Sequence, residues 1–173
     1  MRPQLFGLAC LLVISSGCGD NSSDETGQQI AVLCEQTRVL HNSIAGAGNI
    51  MAAAEVDAAP ERRAELAAGA LETMIALARD ATLPTEPIAL TNGLAERRDA
   101  AVIDLEHELE SFRAEWSQIH QEDRPLAITH VFSLGERLMS ETEPRISTST
   151  PDSVIDAIRS ESGCQNVIQL PPR

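Results

Sequence analysis

The sequence predicts an all-α fold, an up-down-up-down four-helix bundle with a short fifth helix. Apolar residues recur at steps of three and four in four or five segments, which is the spacing of one helix face. No segment alternates apolar and polar residues for long enough to indicate a half-buried strand. Short connections separate the first four helices, and such connections favour antiparallel neighbours.

The first two helices are predicted from their apolar stripes and from one proline. The stripe of the first helix consists of Ile30, Leu33, Thr37, Leu40, Ile44, Ala47 and Met51. Pro60 fits the first turn of a second helix, where its missing N–H costs no hydrogen bond, and this helix should end before Pro84. The inward face of the second helix should consist of Leu66, Ala67, Ala70, Leu71, Met74 and Leu77.

Three further helices follow in the prediction. The third, residues 94–121, keeps one apolar face from Leu94 through Trp116 and Ile119. The fourth, residues 126–142, follows Pro125 and is apolar on two sides, one of them lined by Leu126, Val131, Leu134 and Leu138. Thr150 and Pro151 indicate the N-cap and first turn of a short fifth helix, which we expect to cover the second apolar side of the fourth.

The first twenty residues have the organisation of an export signal. Arg2 supplies the positive start, residues 5–14 form an apolar core, and small residues follow at a cleavage site. The apolar core spans about 15 Å as a helix, about half of a bilayer core, which argues against a permanent membrane-spanning helix. We therefore expect residues 1–17 to be a signal peptide.

The motif Ser15-Ser16-Gly17-Cys18 resembles the lipobox of bacterial lipoproteins, in which the cysteine is diacylated and becomes the new N-terminus. The resemblance implies a diacylglycerol and palmitate anchor at Cys18. It also implies a place in the cell envelope, at the outer face of the plasma membrane or at the outer membrane. An ordinary secretory signal followed by a free thiol is the alternative. Two or more acyl chains anchor a protein stably without any basic patch.

The rest of the chain divides by composition. Residues 18–29 contain no large apolar residue, so we expect the lipidated cysteine to be followed by a disordered spacer. Residues 30–164 should form the helical bundle domain, and residues 165–173, which end in Pro171, Pro172 and Arg173, should form a flexible tail.

Charge and cysteine content limit the partners and the chemistry. Thirteen arginines, no lysine and 26 acidic residues give a net charge of −13, which argues against nucleic acid and against anionic lipid surfaces as partners. The expected partners are the membrane, through the N-terminal lipid, and an envelope protein of unknown identity.

Cys34 and Cys164 are expected to form a disulfide in the oxidising envelope, with two free thiols or a redox role as the alternatives. Closing so long a loop contributes at most about 5 kcal/mol.

No catalytic motif is present in the sequence. It contains no G-x-S-x-G elbow and no phosphate-binding loop, and the string that begins at His107 has Ser111 where a zinc-protease helix needs its second histidine. We therefore expect no enzymatic activity and no cofactor. A metal or haem site built from His41, His120 and His130 is a minor alternative.

Three charged residues fall on the inward faces of the predicted helices. Glu55 and Arg63 are expected to form an ion pair between the first and second helices. The alternative is a ligand pocket lined by Arg98, Arg63 and Glu55, in which the two arginines bind a carboxylate or a phosphate. The leading functional hypothesis is a non-enzymatic protein-interaction or structural module. The second hypothesis is a small-ligand module that holds an apolar or anionic molecule near residues 45–54 and Arg98.

Overall fold

The computed structural model of the chain describes residues 21–54, 59–83, 93–165, 168 and 170. The helices within these residues are α1 (Asn21–Ala54), α2 (Pro60–Asp80), α3 (Leu94–Glu115), α4 (Arg124–Glu141) and α5 (Asp152–Ser160). Two 3₁₀ turns, Trp116–Gln118 and Ser162–Cys164, follow α3 and α5. No strand occurs in the described ranges, so the predicted all-α class is confirmed there.

The helix starts follow the local chemistry of the sequence. Pro60 is the first residue of α2, as predicted, and Pro125 lies in the first turn of α4. Gly93 precedes α3 with φ of 70°, a left-handed conformation that glycine adopts without steric cost. Each of these three helices therefore begins at or next to a proline or glycine of the sequence.

Two predicted boundaries differ from the structure. Residues 21–29 were assigned to a disordered spacer, whereas α1 already begins at Asn21. This stretch is rich in Ser, Asp and Glu, which favour a first helical turn as much as they favour disorder. The second difference is the end of the third helix, which was predicted over residues 94–121. In the structure α3 ends at Glu115, and the chain turns through Trp116–Gln118. Trp116 still packs against the core, so the apolar pattern continued past the end of the α-helix.

The main core lies between α1, α2, α3 and α4, and α2 contacts each of the other three helices. All seven residues of the predicted α1 stripe are buried. On α2, Leu66 and Leu77 are half-buried, whereas Ala64, Ala68, Ile75 and Ala78 are buried in addition to the predicted face. A helix with three neighbours buries more than one stripe, which explains the additional buried residues.

Gly135 marks a close approach of α4 to the main core. A Cβ atom at this position would lie 2.9 Å from Met51 Sδ and 3.5 Å from Met74 Cε. The absence of a side chain at Gly135 therefore allows the two methionine side chains to fill the space between α1, α2 and α4.

A second group of buried residues, the disulfide cluster, lies apart from the main core. It consists of Ile30, Leu33, Cys34, Ile146, Ile158, Cys164 and Ile168. Cys34 and Cys164 lie at disulfide distance, with 4.8 Å between their Cα atoms, in agreement with the predicted pairing. The cluster covers the part of α1 that extends beyond the main core.

The disulfide cluster corrects two expectations. The fifth helix was expected to cover α4, but α5 packs against α1, and Ile158 belongs to the disulfide cluster. Ile168 and Leu170 also pack there, although residues 165–173 were expected to be a flexible tail. The bond from Cys164 to Cys34 holds this part of the chain beside α1, and a helical pattern in sequence carries no information about such a tether.

Candidate functional site

One side of α1 exposes apolar residues that no described helix covers. Val32, Val39 and Ile50 are each 52% exposed. With the uncharged residues between them they form what we call the α1 face, which consists of Val32, Gln36, Val39, Ser43, Gly46 and Ile50. The spacing alternates four and three residues, which is the heptad spacing of helices that pack side by side. Between residues 39 and 54 the only ionisable side chain is His41.

Beside the α1 face lies an open groove of about 410 Å³ between α1 and the end of α2, which we call the α1–α2 groove. Its lining comes from Glu35, Gln36, Val39, Leu40 and Ser43 of α1 and from Leu77, Asp80, Ala81 and Thr82. Val39, Leu40, Leu77 and Ala81 are apolar, and Gln36, Val39 and Ser43 also belong to the α1 face. The groove and the α1 face therefore form one continuous surface.

The polar groups of the groove are mainly hydrogen-bond acceptors. The Oε1 atom of Gln36 is buried and has no hydrogen-bond partner within the described ranges. Such an atom usually finds a partner, because a lone buried acceptor loses its water without compensation. Asp80 is exposed at the end of α2, where the helix dipole is negative, and it forms no salt bridge with any residue that the structure describes. Glu35 bonds to Arg38 at 2.7 Å along α1.

Arg98 lies at the same end of the bundle as the groove. Its Nη1 atom donates a hydrogen bond to the carbonyl oxygen of Ala81 at 2.6 Å, and its Nε atom donates to Asp99 at 2.9 Å. The Arg98 side chain is only 12% exposed. It therefore ties α3 to the end of α2 instead of reaching into open space for a ligand.

Arg63 lies at the other end of α2. Its guanidinium forms no salt bridge with any described residue, and its Nε atom is buried without a hydrogen-bond partner there. Eighteen residues separate Arg63 from Ala81, which corresponds to about 27 Å of helix. The structure therefore does not bring Arg63 and Arg98 into one ligand pocket. Glu55, the predicted partner of Arg63, lies outside the described residues, as does Cys18.

The histidines do not gather at one place. His130 faces Glu108 with 3.5 Å between Nε2 and Oε2, and His41, His107 and His120 are exposed. Among the residues that the structure describes, no three His, Cys, Asp or Glu side chains are arranged to hold a metal ion. The metal alternative built from His41, His120 and His130 has no geometric support in this part of the chain.

A second apolar surface surrounds Leu126, which was expected to face inward but is 73% exposed. It lies in the first turn of α4, beyond the end of α3, so no described helix covers it. Leu126, Ile119 and Ala127 line an open depression of about 570 Å³ together with polar residues. Trp116 nearby holds Arg124 over its ring at 5.2 Å. Periodicity along the fourth helix could not reveal that its neighbour ends early.

Among the described residues, two ionisable groups have shifted pKa values: Glu72, in a contact between α2 and α3, and Arg97, in a contact between α3 and the segment that follows α4. The hydrogen bond and the charge of Arg113 on α3 lower the pKa of Glu72 on α2, and the two side chains are 2.8 Å apart. Burial lowers the pKa of Arg97, which donates a hydrogen bond to the carbonyl oxygen of Glu143 at 2.9 Å. Neither group lines the α1–α2 groove.

No protein-family model, curated protein or solved structure matches the chain. Among the described helices, none combines the length and the apolar character that crossing a membrane requires. The function is therefore inferred from the residues of this chain alone.

The α1 face was not predicted from the sequence, although each of its residues lies one position before a residue of the buried α1 stripe. The contribution of Asp80 could not be seen before α2 was placed against α1.

Proposed function

We propose that the protein is a lipid-anchored, non-enzymatic component of the bacterial cell envelope that docks to another protein through the α1 face. The single observation that carries the docking function is the exposure of three apolar side chains, Val32, Val39 and Ile50, on one side of α1. Between residues 39 and 54 this helix carries no acidic side chain, although the whole chain has 26 acidic residues. Large exposed apolar patches mark interaction sites, and the alignment of these side chains beside the apolar groove supports docking here.

The anchor in this proposal rests on the leader of the sequence. Residues 1–17 have the charge and apolar pattern of a signal peptide, and Cys18 follows the small residues of a lipobox-like motif. The non-enzymatic role rests on the lack of a catalytic motif in the sequence. Both inferences are independent of the α1 face, so each can fail separately.

We also infer that α1 to α4 follow an up-down-up-down course. Five residues separate α1 from α2 and eight separate α3 from α4, which are usual lengths between antiparallel helices, whereas thirteen separate α2 from α3. Residues 35–43 of α1 line a groove with residues 77–82, as expected if α2 runs back along α1. The bond from Arg98 to Ala81 is consistent with an α3 that starts beside the end of α2.

The anchor is tested by mass spectrometry of the N-terminal peptide from the full chain expressed in bacteria. We expect a peptide that begins at Cys18 and carries acyl chains, and a membrane fraction that contains the protein. Cys18→Ala should abolish acylation, whereas Cys10→Ala should leave it unchanged. An unacylated N-terminus on wild-type protein would overturn the anchor.

Docking is tested by placing a photo-crosslinking amino acid at position 39, 50 or 103 of the full chain in intact cells. Ile103 on α3 is the matched control, because it is 56% exposed and lies outside the α1 face. We expect the same crosslinked product from positions 39 and 50 and its absence from position 103. Equal products from all three positions, or none from positions 39 and 50, would contradict docking through the α1 face.

A further inference from the structure

We propose that the α1 face and the α1–α2 groove together bind an amphipathic helix of a partner protein that carries lysine or arginine beside its apolar residues. This inference rests on the proposed docking function and adds the chemistry of the partner. It is carried by the spacing of the α1 face, the volume of the groove and the charge around it.

The alignment of the α1 face favours a helix as the partner segment. Steps of seven and eleven residues place Val32, Val39 and Ile50 within about 20° of one another on one side of α1, and a second helix can follow this line with its own apolar residues. Ser43 and Gly46 are small, so the backbone of the partner can approach closely in the middle of the seam. From Val32 to Ile50 the seam extends over about 27 Å, much longer than a small ligand.

The α1–α2 groove provides the place for the anchoring side chains of this helix. It borders the seam at Gln36, Val39 and Ser43, and its volume of about 410 Å³ leaves room for large apolar side chains. Binding energy at protein interfaces is concentrated in a few such anchors that enter pockets.

The charged side chains that line the groove favour a basic partner. Asp80 contributes a carboxylate without a salt bridge within the described ranges, at the end of α2 where Arg98 already donates a hydrogen bond to the carbonyl oxygen of Ala81. Glu35 on the opposite wall adds a second carboxylate, bonded to Arg38. A second copy of the chain fits less well, because it would bring the same carboxylates and a net charge of −13 to the contact.

The test is a selection of displayed helical peptides against the immobilised full chain in detergent. The library has apolar residues at heptad positions a and d, and random Lys, Arg, Glu, Asp, Gln or Ser at the flanking positions. Binders are then measured by fluorescence anisotropy against the wild type and the Val39→Gln, Asp80→Asn and Ile103→Gln variants. All three substituted side chains are exposed, so circular dichroism should report the same helix content and melting temperature for each protein.

We expect the selected peptides to be basic at the flanking positions. Val39→Gln should weaken their binding about tenfold, as loss of an anchor contact does. Asp80→Asn should weaken it about two- to fivefold, as loss of an exposed charge pair does. Ile103→Gln, the matched apolar control on α3, should leave binding within about twofold.

Three results would overturn the inference. These are enrichment of neutral or acidic peptides, equal binding of basic peptides to the wild type and Val39→Gln, and no enrichment at all. Self-association of the wild-type chain that Val39→Gln abolishes would assign the surface to a second copy and would also overturn it. If the crosslinks from positions 39 and 50 persist in any of these cases, the docking function stands and only the chemistry of the partner is wrong.

Discussion

The main core and the disulfide cluster bury their residues by different means. The main core gathers apolar side chains from α1, α2, α3 and α4, and α2 is enclosed by the other three helices. The disulfide cluster has seven buried residues and joins two parts of the chain that are 130 residues apart in sequence. We infer from this comparison that helix packing is sufficient where four helices meet, whereas the short helix α5 on α1 relies on a covalent tether.

This difference has a consequence for local stability. A small cluster offsets less of the conformational entropy that ordering a chain segment costs. We therefore expect α5 and the residues after it to open more readily than α2 and α3, as separate cooperative units do. Substitutions in each cluster test whether the two open as separate units.

Removal of the disulfide should have the largest effect on stability. Cys34→Ala combined with Cys164→Ala removes a constraint on a long loop, so we expect a loss of about 2–5 kcal/mol in the free energy of unfolding. Hydrogen exchange should become fast in α5 (Asp152–Ser160) while α2 stays protected. Equal loss of protection in α2 and α5 would show that the two clusters form one cooperative unit.

Truncation of matched apolar residues should separate the two clusters further. Leu71 on α2 and Ile158 on α5 are both almost completely buried. Leu71→Ala leaves a cavity in the main core and should cost about 3 kcal/mol in global unfolding, measured with urea. Ile158→Ala should mainly speed hydrogen exchange in α5. Separate opening of the two clusters would be contradicted if Ile158→Ala lowered the hydrogen-exchange protection of α2 as strongly as Leu71→Ala does.

Two glycines in helices test how tightly the main core is filled. Gly69 on α2 has nothing within 4 Å of an added Cβ atom, so Gly69→Ala should stabilise the protein by about 0.5–1 kcal/mol through helix propensity. Gly135→Ala should stabilise it less than Gly69→Ala does, because the new methyl group must displace the end of the Met51 side chain. Thermal unfolding measures both. The difference between the two variants should shrink in a Met51→Ala background, and an unchanged difference there would refute the steric explanation.

The smallest expected effect on stability comes from an ion pair at the surface of the main core. Arg113 lowers the pKa of Glu72, so the pair stabilises the folded state above the ordinary glutamate pKa of about 4.3, and this stability is lost as the pH falls through the lowered pKa. Because both side chains are exposed, Glu72→Gln should cost less than about 1 kcal/mol at neutral pH. The difference between variant and wild type should vanish toward pH ~3 in denaturant titrations. A difference that does not change with pH would exclude the ion pair as its cause.

The buried faces of the helices were predictable because each is a local pattern. The α1 stripe from Ile30 to Met51 is completely buried, and Pro60 starts α2 where predicted. In the candidate site, local patterns were less informative. Arg98 was recognised as an inward-facing charge, but its bond to Ala81 depends on where α2 ends beside α3.

The sequence by itself determined that the chain is helical and which stripe of α1 is buried, since helical periodicity is a local property. It predicted the pairing of Cys34 with Cys164, and the structure shows these two residues at disulfide distance. Only the tertiary structure decided that α5 covers α1 instead of α4, that Arg63 and Arg98 lie at opposite ends of α2, and that Asp80 and Val39 border one groove. The physical reason is that such contacts depend on which helices are neighbours and where each one ends. Periodicity specifies the direction of a face, but it does not specify the neighbour that the face meets.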